Sequence, residues 1–174
     1  MKNLSPFRLW LRKLLTCWLP ETRFFGFKVA SLRWCGVEIG KNVRINSSAV
    51  FSGNGRLVIG DDVWVGAGDA ISVTSPAEIV IGSHVDLGPQ VMIITGSHKI
   101  DPQGTHIGGA GDSKSVRIGN GCWLGARATI LSGVELAEKT LVAAGAVVTE
   151  SIKTPCSLIA GVPAKEKKVL LSSR

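Results

Sequence analysis

The sequence predicts an all-β chain whose body is a parallel β-helix of six-residue repeats, preceded by a short helical segment. Three observations point there. Aliphatic residues recur every six positions from Val37 onward, 21 of the 174 residues are glycine and many directly follow those aliphatic positions, and helical spacing of apolar residues is confined to the first 36 positions. With 45% hydrophobic and 19% charged residues the chain has material for one core and is not a disordered sequence.

Residues 1–36 form the first region. From Pro6 to Leu19, Phe7, Leu11, Leu14, Leu15 and Trp18 recur at three- and four-residue spacing, with Arg8, Arg12 and Lys13 toward the other side. Ser5-Pro6 supplies a helix start and Pro20 a stop. A second short helix is predicted over 22–34, ending near Gly36. Seven of the ten aromatic residues fall in this segment: Phe7, Trp10, Trp18, Phe24, Phe25, Phe27 and Trp34.

Residues 37–164 carry the repeat. Ile118, Leu124, Ile130, Leu136, Val142 and Val148 lie six apart without a slip, and Cys122, Ala128, Val134, Thr140, Ala146 and Ile152 fill the position four later. Earlier copies of the frame are Ile39, Ile45, Phe51; Ile59, Val65, Ile71; and Ile81, Leu87, Ile93. A six-residue unit holds a short strand and a turn where Gly, Asn or Asp tolerates unusual backbone angles. Three units close one triangular coil, and coils stack in parallel so that branched residues pile up inside. The coil starting at Ile81 is followed by a surplus of about one coil in the segment KIDPQGTHIGGAGDSKS, predicting a long polar loop over 99–116. Residues 165–174 form a basic tail.

The net charge of +7 invites a nucleic-acid reading, but its distribution removes it. Residues 1–36 hold seven Lys/Arg against Glu21 alone, residues 37–163 hold nine against eleven acidic residues, and the tail is basic through Lys165, Lys167, Lys168 and Arg174. The basic character is terminal, with no broad basic face. Four scattered cysteines (Cys17, Cys35, Cys122, Cys156) without a C-x-x-C pair predict reduced, mostly buried thiols and no metal site. Arg8, Arg12 and Lys13 interrupt the first apolar run, no cleavage site follows, and no stretch approaches the roughly 20 residues that span a bilayer. A cytoplasmic location is predicted. The +6 segment has two readings: a cap over the open end of the first coil, with a basic outer face, or a contact with anionic lipid at the inner face of the membrane.

Together the hexads, the IITGSH segment at 93–98, IGNGCWLGARATILSGVEL at 118–136, LVAAGAVVTES and IAGVPAK make the sequence resemble the hexapeptide-repeat acyltransferases. Within them it is most similar to the sugar and polysaccharide O-acetyltransferases. The resemblance implies a left-handed parallel β-helix, a homotrimer with active sites in clefts between adjacent subunits, acetyl-CoA as acyl donor lying along the coils, and a general-base histidine at His98. The chemistry agrees: transfer from a thioester to an alcohol needs a base near neutrality, and an unperturbed imidazole titrates near about 6.5. Along a strand Ser97 should point away from His98, so direct transfer is favoured over an acyl-serine route.

Asp101, Asp86 and Asp69 are candidates to orient the imidazole; the favoured account of each is a turn or corner hydrogen bond. Trp123 sits where the family often has an aromatic lining the cleft, coil packing being the other account. Gly125, Ala126, Ala143, Ala144 and Thr149 match positions that bind the cofactor, and Lys165 and Lys168 match positions that meet its phosphates. Two departures stand out. Glu150 replaces a lysine that commonly contacts a phosphate, and Gly66 replaces an Asn found in relatives acting on free sugars.

The expected function is acetyl-CoA-dependent O-acetylation of a saccharide hydroxyl in surface-polysaccharide assembly, without a metal. The rivals are an N-acetyltransferase acting on a nucleotide-linked amino sugar and a non-catalytic scaffold. A zinc carbonic anhydrase on the same fold is excluded by the spacing of His84, His98 and His106.

Overall fold

Chain direction, hexad by hexad, sets the architecture. The computed structural model describes residues 3–170; residues 1–2 and 171–174, with the charges of Lys2 and Arg174, lie outside the described residues. Two helices come first, α1 (Pro6–Thr16) and α2 (Phe25–Trp34). The first coil follows with β1 (Glu38–Ile39), β2 (Arg44–Ile45) and β3 (Val50–Gly53), and the second with β4 (Arg56–Ile59), β5 (Trp64–Val65) and β6 (Ala70–Val73). The third coil is β7 (Glu78–Ile81), β8 (Asp86–Leu87) and β9 (Met92–Ile94). There the chain leaves the solenoid as a hairpin, β10 (Gly96–Ile100) and β11 (Gly108–Ser113). The fourth coil is β12 (Val116–Ile118), β13 (Trp123–Leu124) and β14 (Thr129–Ile130), and the fifth β15 (Glu135–Leu136), β16 (Leu141–Val142) and β17 (Val147–Val148). The chain ends in β18 (Ser157–Gly161) and β19 (Ala164–Val169).

Taking one strand from each coil gives three sheets: β1-β4-β7-β12-β15, β2-β5-β8-β13-β16-β18-β19, and β3-β6-β9-β14-β17. Every pairing is parallel except β10–β11 and β18–β19. The register follows the hexad frame. Ile39, Ile59, Ile81, Ile118 and Leu136 form one column, and Phe51, Ile71, Ile93, Ile130 and Val148 another. Nearly all are fully buried, each contributing roughly 1.5–3 kcal/mol from lost apolar exposure. Outside the first sheet, Arg56 bridges Glu38 and Glu78, and Arg117 bridges Glu78 and Glu135, so unlike charges alternate along the stack.

The glycine after the aliphatic residue is required by this stacking. A Cβ on Gly66 would lie 2.7 Å from the Leu87 carbonyl oxygen, and one on Gly125 2.6 Å from the Ala144 nitrogen, both in the next coil. No side chain fits at Gly66, so the Asn of the free-sugar relatives could not sit there without displacing backbone. Corner residues supply the turns: Asn42, Asp62, His84, Lys139 and Cys156 take positive φ at equivalent positions of successive coils. Asp69 is one such corner device. Its carboxylate, fully buried, accepts from the backbone N–H of Gly66 at 2.6 Å and of Val91 at 2.9 Å.

Three sequence expectations need correction. The surplus over 99–116 is a β-hairpin that starts before His98, since residues 96–98 already pair with 111–113. The segment read as a basic tail is a strand as far as Val169, β19, antiparallel on β18. The third concerns α1. Ser5 caps it, its Oγ accepting from Arg8 N–H, and its first turn begins at Pro6 as expected. Yet the buried residues are Leu9, Arg12 and Thr16, while Phe7, Leu14, Leu15 and Trp18 are exposed. The helix covers the first coil with its polar stripe, so its outer face is apolar rather than basic. Arg12 is held over the Phe51 ring, with its Nε donating to Ser31 Oγ at 3.3 Å, and burial pushes its guanidinium down from its ordinary value. Lys28 of α2, also fully buried, donates to the carbonyls of Pro20 and Glu21 and so ties the interhelix turn. Among the cysteines, Cys35 and Cys122 are buried, whereas Cys17 is exposed.

Two measurements check these assignments. Gly66→Ala should lower stability by about 1–3 kcal/mol in chemical denaturation, because the next coil's backbone must move; an unchanged midpoint would mean the coils are less closely stacked. Burial pushes Asp69 up to about 7 from 3.8, against its two backbone hydrogen bonds. Between those values the folded chain keeps a proton that the unfolded chain releases, so this residue's contribution to stability falls as pH rises through the window. The thermal midpoint of Asp69→Asn, relative to the unsubstituted protein, should therefore rise from pH 4 to pH 7.

Candidate active site

The hairpin is rooted at the corner between the third and first sheets, after β9. Fully buried Thr95 is its anchor: its Oγ1 accepts from Thr74 N–H at 2.8 Å, and its carbonyl accepts from Lys114 N–H at 3.1 Å and Ser132 Oγ at 2.6 Å. Both legs of the hairpin are thus tied to the solenoid wall at one residue. Three positions on, β10 presents His98 opposite Gly111, just before the register shifts. The facing strand is nearly bare of side chains at Gly108, Gly109 and Gly111, so the imidazole has room. A Cβ on Gly108 would lie 3.8 Å from the ring's base.

His98 Nδ1 lies 2.8 Å from the Gly109 carbonyl oxygen. A carbonyl only accepts, so the neutral ring carries its proton on Nδ1 and leaves the Nε2 lone pair free. His98 is exposed and borders a cleft of about 610 Å³ with Ser75, Pro76, Ser97, Asp112 and Ser113. Such a ring can take a proton from a hydroxyl bound in the cleft. Ser97 borders the same cleft, and among the described residues no hydrogen bond joins it to the imidazole.

The other sequence candidates are dispersed. None of the three aspartates bonds to His98: Asp69 is the corner device described above, Asp101 Oδ1 accepts from Gln103 N–H in the hairpin turn, and Asp86 is exposed on β8. Trp123 lies exposed on β13 beside Asp86 and Leu141 of the flanking strands. Gly125, Ala126, Ala143 and Ala144 gather at the corner between the second and third sheets, after β13 and β16. Thr149 is exposed at a different corner, the one from which the His98 hairpin emerges two coils earlier. Lys165 Nζ is 3.0 Å from Glu150 Oε2, so the acidic replacement at 150 holds one of the two tail lysines. Lys168 stands on β19 and forms no ion pair among the described residues. His84 contacts Asp62 at a corner and His106 lies in the hairpin turn; among the described residues no three His, Cys, Asp or Glu side chains converge as a metal site.

Two participants escaped the sequence reading. The Gly109 carbonyl is main chain, and no residue type announces it. Asp112 reaches the cleft because antiparallel pairing sets it across from Ser97, a relation that exists only once the hairpin is known.

The architecture is a parallel solenoid of hexads, interrupted once by the hairpin that bears His98. The family described as hexapeptide repeat of succinyl-transferase matches residues 115–150. A protein of Escherichia coli (strain K12), assigned by name to colanic acid biosynthesis as an acetyltransferase, is 30% identical over 152 residues, 86% of this chain and 80% of that one. A galactoside O-acetyltransferase of Lactococcus lactis subsp. lactis (strain IL1403) is 31% identical over 138 residues, 78% of this chain and 64% of the relative. Among solved structures, a hexapeptide-repeat-containing acetyltransferase from Vibrio cholerae O1 biovar eltor, complexed with acetyl coenzyme A, superposes with a TM-score of 0.76 at 23% identity over 96% of this chain and 87% of that one. The chain belongs to the hexapeptide-repeat acyltransferases and has their left-handed parallel β-helix fold.

Proposed function

We propose that the protein is an acetyl-CoA-dependent O-acetyltransferase that acts on a saccharide hydroxyl in surface-polysaccharide assembly, with His98 as general base. The observation that carries the reading is the His98 Nδ1 contact with Gly109 O, which fixes a tautomer with an unprotonated Nε2 beside a cleft wide enough for a sugar. The relatives named for colanic acid biosynthesis and galactoside O-acetylation favour an oxygen acceptor. In the reaction the acceptor oxygen attacks the thioester carbonyl carbon while its proton passes to Nε2. The C–S bond then breaks, and the departing thiolate recovers that proton from the imidazolium.

The donor would lie along the coils. The corner of half-buried Ala126 and exposed Ala144 offers small side chains, and Lys168, without an ion pair among the described residues, offers a cation for a phosphate. Because Thr149 and His98 stand at one corner and the alanines at another, the two groups meet in one cleft only where two copies of the chain abut. This arrangement favours the homotrimer that the family resemblance implies.

A thiol-release assay with acetyl-CoA across free sugars, nucleotide sugars and lipid-linked oligosaccharides tests the reading. His98→Ala should keep the fold and lose about 10²–10⁴-fold in turnover; near-normal turnover would refute the base assignment, and transfer only to an amino sugar would assign N-acetylation instead. Glu150→Lys should release Lys165 and lower KM for acetyl-CoA by about threefold at unchanged kcat, the scale of one exposed charge contact.

A further inference from the structure

We propose that α1 docks the protein on an anionic lipid surface, lying in the interface with its apolar face toward the acyl chains. At 3.6 residues per turn, Trp10, Leu14, Phe7, Leu11 and Leu15 fall within an arc of roughly 140° on the helix, and Trp18 follows in the turn just past its end. That arc is the outward one, for Leu9, Arg12 and Thr16 face the solenoid. Trp18 is 87% exposed, Phe7 66%, Leu15 62% and Trp10 57%. Large apolar side chains clustered this way on a chain whose own core is complete mark a contact surface rather than incidental exposure.

Charge selects the partner. Arg8 and Lys13 border the arc on its two sides, and Arg23 and Arg33 are exposed nearby. Among the described residues no cation of the segment, from Arg8 to Arg33, forms an ion pair. The segment's one acid, Glu21, is occupied, its Oε2 accepting from Ser48 N–H and Oγ–H. A second copy meeting this face with its own counterpart would bring the same cations against themselves, whereas anionic headgroups around an apolar layer complement both features. Beneath the helix, a cavity of about 500 Å³ between α1 and β3 is lined by Leu9, Trp10, Lys13 and Phe51 together with buried Arg12, whose Nη2 has no hydrogen-bond partner. Unpartnered positive charge thus reaches inside the helix as well as along its rim.

The length of α1 also fits. Eleven residues span about 16 Å, too short to cross a bilayer and enough to lie along one. No helix among the described residues is long and apolar enough to cross a membrane.

The test is co-sedimentation of the full chain with vesicles of phosphatidylcholine alone and of phosphatidylcholine with phosphatidylglycerol. Binding should be about tenfold stronger to the anionic vesicles and weaken with added salt. The double variant Leu14→Ser/Trp18→Ser should lose that binding while keeping its thermal midpoint and its acyl-transfer rate on a soluble acceptor. Absence of binding by the unsubstituted protein, or equal binding by the variant, overturns the proposal. So does a variant that changes oligomeric state in light scattering while the parent ignores vesicles, since the face would then belong to a second copy.

Discussion

The structure depends on one spacing, the separation of about 4.8 Å at which backbone hydrogen bonds join each coil to the next. Held at that distance, each coil has room inside for the aliphatic residue of each hexad and the residue two positions before it, and none for a Cβ where its corner backbone meets the next coil. The Val65-Gly66 and Leu124-Gly125 steps are this requirement written as sequence: a methyl group on either glycine would be driven into carbonyl or amide atoms of the following coil. The same spacing explains Asp69. A corner that cannot direct two N–H groups to another strand directs them to a buried carboxylate, which is driven toward its neutral form by the low polarity around it.

The repeat itself was legible because stacking demands a fixed period, and the aliphatic frame predicted the pairing register column by column. Where the period stops, legibility stops with it. The polar segment after His98 reads as loop because a glycine-rich run carries no alternation, yet it pairs with residues 96–100 as a hairpin, its two legs tied to a buried threonine. The inverted helix escaped for a different reason. Spacing locates an apolar stripe but not which stripe faces the core. In α1 the short Thr16 and the aliphatic stem of Arg12 pack on the coil end, while the larger aromatic residues remain outside. His98 was legible as a residue type in a motif, and its orienting partner was not, since a carbonyl belongs to every residue alike.

That partner shapes the chemistry of the site. An imidazole steered by a carboxylate gains charge stabilisation as it takes up a proton; one steered by a carbonyl gains mainly geometry. Geometry in turn depends on the hairpin, so the imidazole is positioned by how firmly β10 and β11 are tied at Thr95 rather than by a carboxylate. The positions proposed for the cofactor follow the same logic. Glycine and alanine at the corners satisfy the stacking first, and a strip of small residues results whether or not a ligand lies in it.

The antiparallel strand β19 has a consequence at the far end. A solenoid can grow by adding strands to an open edge, and an edge left bare invites a strand from another molecule. Here the last turn folds back, and the strand it presents reads Ala-Lys-Glu-Lys-Lys-Val, crowded with like charge. The last described strand therefore sets like charge along the solenoid's open edge, where it repels a strand that would add there.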